Sequence, residues 1–194
     1  MGTEKRLARM EEVLRHRQPD LTVVMENVHD PHNVSAILRS CDAAGVYQVH
    51  LVYTEEKFPD IGKKSSASAR KWVERRKFRS VEDCYKSLRD ERFSIYATRI
   101  GQGASSLYDL DLRKNVALVF GNEHRGVSDE AAAGADRMFM IPMHGMIQSL
   151  NVSVACAVTL FEAVRQREQS GQYDKAKFSE AELSKLIKAW ATKP

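Results

Sequence analysis

The chain has 194 residues, 43% of them apolar and 29% charged, with a formal net charge of +4, which suits one domain with a core of its own and possible helical extensions. No run of about 18 apolar residues occurs, so no membrane-spanning helix is expected. The charged start MGTEKR has no apolar signal-peptide core and lacks the hydroxyl residue at position six that myristoylation favours.

Leu7, Met10, Val13 and Leu14 fall at helical spacing, so residues 3–17 are predicted as a helix that Gln18-Pro19-Asp20 stops. Leu21–Glu26 is a β-rich run and a predicted buried strand. The polar loop Asn27–Asn33 follows, with Asn33 as expected cap of a helix over Val34–Ala44 and Gly45 as its left-handed terminator. On that helix Val34, Ile37, Leu38 and Cys41 share one face, and Ser35, Arg39 and Asp42 another. Tyr47–Tyr53 reads as a second strand, parallel to the first.

Residues 54–71 form a polar loop, and Trp72–Phe78 a short strand. Val81–Asp90 has an amphipathic helical pattern. Strands are expected at Phe93–Thr98, Val116–Phe120 and Met138–Ile141, with a helix capped by Ser128 between the last two. Val152–Phe161 is apolar or small on nearly every side, the pattern of a buried helix; that helix runs from Asn151 to near Gly171. Leu183, Leu186, Ile187 and Trp190 mark a terminal amphipathic helix over 179–191. Strands alternating with helices point to an α/β fold with a mostly parallel sheet. The expected organisation is an N-terminal helical extension over 1–18, a core domain over 19–171 and a C-terminal helical extension over 172–194.

Cys41, Cys84 and Cys156 are odd in number and far apart, each within a predicted helix where a small buried hydrophobe fits. No metal-ligand spacing of Cys or His occurs, so no metal site is expected. A reducing, cytoplasmic setting fits. Positive charge is uneven: Lys63, Lys64, Arg70, Lys71, Arg75, Arg76, Lys77 and Arg79 face only Glu74, and Lys5, Arg6, Arg9, Arg15 and Arg17 form a second group. Such patches suit a polyanion, with nucleic acid favoured over a merely solvated surface.

Ligands of open α/β sheets bind at the carboxyl ends of strands. Four loops lie there: 27–33, 98–103, 121–126 and 142–150. None carries the glycine-rich pattern of an NTPase phosphate loop or of a dinucleotide fold, and the Gly-x-Ser-x-Gly of hydrolases is missing. Three of these loops sit inside longer runs. ENVHDPHNVSAILRSCDAAG at 26–45, LVFGNEHRGV at 118–127, and IPM with QSLNVSVA at 141–155 resemble, in order, the three signature motifs of the SPOUT-class (SpoU/TrmH) RNA 2′-O-ribose methyltransferases. The flanks at 17–22 and 162–171 look closest to the TrmH branch, whose members methylate guanosine 18 in the tRNA D-loop.

The resemblance implies an S-adenosylmethionine-dependent enzyme, a deep trefoil knot in the C-terminal part, and a homodimer with helices packed across a two-fold axis. It places the cofactor against Thr98, Gly121, Asn122, Glu123, Ile141, Ser149, Leu150 and Asn151. It makes Arg39 catalytic, with Asn33 holding the ribose or orienting Arg39, and gives tRNA the surface of Lys63, Lys64, Arg70, Lys71, Arg75, Arg76 and Lys77 together with Arg9 and Arg17 of the N-terminal region. His124 after Glu123, and Arg99 after Thr98, depart from the lysine and histidine more usual in the branch. Two other readings stay open: a 2′-O-methyltransferase for another tRNA position or ribosomal RNA, and a non-catalytic RNA-binding protein on the same fold.

Overall fold

The structure is a computed structural model that describes residues 4–54, 57–58, 69–101 and 103–193. Lys63 and Lys64 lie outside the described residues. Six α-helices and seven strands are described: α1 Glu4–Arg15, β1 Leu21–Glu26, α2 Pro31–Ala43, β2 Gln48–Val52, β3 Glu74–Phe78, α3 Val81–Asp90, β4 Ser94–Thr98, β5 Ser105–Ser106, β6 Val116–Phe120, α4 Asp129–Gly134, β7 Arg137–Met140, α5 Val152–Gln169 and α6 Glu180–Ala191.

The strands form one sheet in the order β3-β2-β1-β6-β4-β7-β5. Every neighbouring pair is parallel. β1 and β6 form the middle and are buried along their whole length, as expected of parallel strands covered on both faces. Leu21, Val23 and Met25 point to one face, where α2 and α5 cover them; Val24 points to the other, under α3. α1 and α6 pack together through Met10, Leu14, Leu183 and Trp190, a small apolar cluster of their own.

Helix ends follow local chemistry. Ser80 and Ser128 cap α3 and α4 by accepting the backbone N–H of Asp83 and Ala131. Ser179 and Glu182 make a reciprocal capping box on α6. α2 differs from expectation. Its cap is Asp30, which accepts from the His32 N–H, and Pro31 occupies the first helical position. Asn33 is therefore inside the first turn, and its side chain is free for another use.

Two buried arginines tie the lower end of the sheet together. Arg167 on α5 donates to the carbonyls of Leu112, Lys114 and Asp20, and to the side chains of Asp20 and Gln18. Arg17 donates to the Val46 carbonyl at 3.0 Å and pairs with the Asp42 carboxylate. It is 0% exposed, so its expected place on an RNA surface is corrected: a guanidinium held this way stays inside.

The expectation for α5 is met on one side only. Cys156, Leu160 and Ala163 are buried in the core, but Val154 and Phe161 are 47% and 52% exposed. Cys41, Cys84 and Cys156 are all buried. Burial pushes the Cys84 thiol up to about 12; burial first, then the neighbouring Cys41, raises that of Cys156. Thiols so raised are poor nucleophiles near neutral pH. No helix among the described residues is long and apolar enough to cross a membrane.

Candidate active site

The carboxyl ends of β4, β6 and β7 lie side by side and open onto one cavity of about 610 Å³. Thr98 ends β4, Phe120 ends β6 and Ile141 follows β7; all three line the cavity. So do Gly121, Asn122, Glu123, Ser149, Leu150 and Asn151. Every residue expected to hold a cofactor thus faces the same space, although the chain brings them from three stretches.

Each wall has a local reason for its shape. Thr98 donates its hydroxyl to the Val119 carbonyl at 3.0 Å, locking the end of β4 to β6. At Gly121 a Cβ would fall 2.2 Å from the backbone of Gly126, so only glycine lets the loop fold back there. Asn122 and Gly126 exchange two backbone hydrogen bonds, at 3.0 and 2.8 Å. The Asn122 side chain accepts from the N–H of His124 and donates to the Asn27 carbonyl, so it also ties the loop to the end of β1. From Pro142 to Leu150 no backbone N–H or C=O has a hydrogen-bond partner among the described residues. Residues 144–149 of this loop are exposed, so these groups meet water and, along a polar cavity, also stand open to a ligand. That donor and acceptor set fits a small polar cofactor.

Glu123 joins the second motif to the first. Its carboxylate accepts the backbone N–H of His29 at 2.9 Å and of Asp30 at 3.1 Å, and the Asn33 amide at 2.9 Å. Burial raises its pKa, but these hydrogen bonds outweigh burial and leave the carboxyl below its ordinary value. Asn33 in turn accepts from Asn151 at 3.1 Å. Asn151 also caps α5, accepting from the N–H of Ser153 and Val154. Asn33, Glu123 and Asn151 are therefore one connected network across all three motifs. The resemblance assigned each of them a role, but only the fold brings them together.

Arg39 lies six residues beyond Asn33 on α2, about 9 Å along the helix axis at 1.5 Å per residue. It is exposed, does not line the cavity, and has no ion-pair partner among the described residues. Asp42, on the same face of α2, pairs with Arg17 instead. Arg99 lines the cavity rim and pairs with Asp129 at 3.0 Å.

Of the basic residues, Arg75 and Lys77 project from β3, an edge strand of the sheet, into solvent. Arg76 is held by Glu91 at 2.5 Å. Arg70 and Lys71 are half-buried in a single helical turn before β3. Arg9 is exposed on α1 and pairs with Glu12. Among the described residues no group of three or more His, Cys, Asp or Glu is placed to hold a metal.

A profile of the SpoU rRNA methylase family matches residues 20–161. The chain belongs to that family. A tRNA (guanosine(18)-2′-O)-methyltransferase of Thermus thermophilus is 47% identical over 191 residues, covering 98% of each chain. Its namesake in Escherichia coli K12 is 41% identical over 184 residues, 94% of this chain and 80% of the relative. The crystal structure of the Aquifex aeolicus TrmH/SpoU tRNA modifying enzyme superposes with a TM-score of 0.92 at 42% identity, covering 97% and 95% of the two chains. An AdoMet-bound rRNA methyltransferase from Sinorhizobium meliloti shares the fold at TM-score 0.65 and 27% identity, over 80% of this chain and 59% of that one. The matched stretch runs from Asp20 to Phe161, within α5.

Proposed function

We propose that this protein transfers a methyl group from S-adenosylmethionine to the 2′-oxygen of guanosine 18 in tRNA. The observation that carries this reading is likeness along nearly the whole of both chains to a tRNA (guanosine(18)-2′-O)-methyltransferase. The cavity at the ends of β4, β6 and β7 supports it. We assign cofactor binding to Thr98, Gly121, Asn122, Glu123, Ile141, Ser149, Leu150 and Asn151, and read the chain around them as threading a trefoil knot. When bound, S-adenosylmethionine supplies a methyl carbon on a sulfonium sulfur that leaves as a neutral thioether.

The chain's own work is then alignment and charge. Arg39 carries a planar guanidinium, which donates hydrogen bonds and accepts none. It serves by holding a phosphate of the target and stabilising negative charge that grows on the 2′-oxygen. Its exposure and lack of an ion-pair partner suit a group that waits for substrate. Asn33 and Asn151 orient the ribose side of the site. Glu123 is a poor proton acceptor: three N–H donors already occupy it and its pKa is low. We give it a positioning role.

We assign tRNA contact to Arg75, Arg76, Lys77, Arg70, Lys71 and Arg9, a surface that would grip phosphates by charge and shape. The exposed apolar residues Val154 and Phe161 on α5 support a homodimer, one copy facing another across that helix. A tRNA substrate points to the cytoplasm as the place of action.

The test is incubation with methyl-labelled S-adenosylmethionine and unmodified tRNA, followed by mapping of the labelled nucleotide. Label on the ribose of guanosine 18 is expected. Label at another tRNA position, or only in ribosomal RNA, moves the reading to a different substrate. RNA binding with no label in any RNA would make the protein a non-catalytic binder.

A further inference from the structure

We infer that Arg99 is the carboxylate-binding group of the cofactor cavity: it leaves Asp129 when a ligand enters and takes the carboxylate of that ligand's amino-acid tail. This rests on the reading of the cavity as a site for S-adenosylmethionine and adds to it a residue that decides which ligands are held.

The backbone at Arg99 is fixed on both sides. The Thr98 hydroxyl donates to the Val119 carbonyl at 3.0 Å, and the Arg99 N–H donates to the Phe139 carbonyl at 2.9 Å. The residue is thus pinned where the ends of β4, β6 and β7 meet, and only its side chain is left to move. That side chain lines the cavity and is 46% exposed. Its partner Asp129, the first residue of α4, also lines the cavity but is 95% exposed. The pair is one hydrogen bond, from Nη2 to Oδ1 at 3.0 Å. An ion pair so open to water contributes little, and water can take the place of Arg99 at Asp129. A guanidinium presents a planar fork of N–H donors that fits a carboxylate with two parallel bonds. Exchanging one bond in solvent for two along a cavity wall favours the ligand.

Charge across the cavity has a direction. β6 lies between β1 and β4 in the sheet. Glu123, after β6, reaches toward β1, where its carboxylate accepts from His29, Asp30 and Asn33. Arg99 lies on the opposite side, against β7. A ligand that spans the cavity therefore meets an anion at one end and a cation at the other. A sulfonium suits the first end and a carboxylate the second, and S-adenosylmethionine carries both.

Calorimetry on the full chain tests this with three ligands: S-adenosylmethionine, its decarboxylated analogue, and methylthioadenosine, which lacks the whole amino-acid tail. Wild type should hold S-adenosylmethionine about tenfold or more tightly than the decarboxylated analogue, the scale of a hydrogen bond between charged groups. Arg99→Gln should abolish that preference and weaken S-adenosylmethionine by about tenfold, while methylthioadenosine stays within about twofold. Asp129→Asn removes the competitor for Arg99, so it should tighten S-adenosylmethionine by about twofold and leave methylthioadenosine unchanged. Equal weakening of all three ligands in Arg99→Gln would mean that Arg99 only shapes the rim, and overturns the inference. A preference that survives in Arg99→Gln but vanishes in Arg125→Gln gives the carboxylate to Arg125 and overturns it too, as does weaker S-adenosylmethionine binding in Asp129→Asn. Folded wild type that binds none of the three ligands overturns it together with the function proposed above.

Discussion

The amide of Asn33 donates to the carboxylate of Glu123 at 2.9 Å across 90 residues of chain. This bond joins the first turn of α2 to the loop after β6, so the side of the site meant for ribose and the side meant for cofactor share one anchor. Glu123→Gln keeps the shape but loses the charge that three N–H groups converge on. Loss of a charge-assisted bond of this kind costs about 1–3 kcal/mol, and methylation should fall by about tenfold or more. The pH dependence has a definite sign. The carboxyl of Glu123 is lowered from 4.5, so its stabilisation is complete above that value and is lost as pH falls through the lower folded value. Thermal unfolding followed from neutral pH into that acid range should decline less steeply in Glu123→Gln than in wild type; identical profiles would remove Glu123 from the anchor.

Arg39→Ala should separate chemistry from stability. The side chain is exposed and unpaired among the described residues, so the melting temperature should not move, surface changes being worth about ±0.5 kcal/mol. Methyl transfer should fall by about a hundredfold or more, the scale of removing one preorganised donor at a developing oxyanion. Single-turnover rates at saturating cofactor measure this. Full activity in Arg39→Ala would falsify the role given to Arg39.

The opposite pattern is expected at Arg17. Removing one partner of a buried pair costs about 3–5 kcal/mol, and Arg17→Ala also strips partners from the carbonyls of Val46 and Trp72. The melting temperature should drop by roughly 6–20 °C for a chain this size. tRNA affinity per folded molecule, measured well below the new midpoint, should be nearly unchanged. A tenfold loss of affinity with stability intact would return Arg17 to the RNA surface.

Gly121→Ala tests the cofactor cavity through its backbone. A methyl group 2.2 Å from the Gly126 backbone forces the loop open. Calorimetric affinity for S-adenosylmethionine should weaken by at least about tenfold, on the basis that overpacking costs about 1–3 kcal/mol. Wild-type affinity in this variant would show that the 121–126 loop is not a wall of the cofactor site.

Phe161→Asp tests the exposed face of α5. A charge at the centre of an apolar contact should turn a dimer into a monomer in sedimentation experiments. Wild-type protein that sediments as a monomer at micromolar concentration would remove the homodimer from the reading.

The bounds of α3 and the cap of α4 were readable from local signals: amphipathic spacing, and serine before an acidic first turn. The start of α2 was misplaced: Asn33 was the expected cap, but Asp30 caps the helix and Pro31 takes its first position. β5, two residues long, has no periodicity to read. The burial of Arg17 was invisible because a list of basic residues has no depth; only the fold puts Asp42 beside it. The place of β6 between β1 and β4 could not be read either, since strand order depends on how crossovers pack and not on any run of residues. For the same reason the network of Asn33, Glu123 and Asn151 was a set of separate residues until the sheet brought their loops together.

The sheet order has a consequence for synthesis. β6 is made after β1 and β4 but lies between them. A growing chain that ends before Val116 therefore leaves the β6-facing edges of β1 and β4 without their partner, the kind of edge that seeds aggregation. The vulnerable period for this protein is translation of the segment between β4 and β6. Slow codons there, or chaperones that bind extended apolar chain, should govern how much of it reaches the folded state.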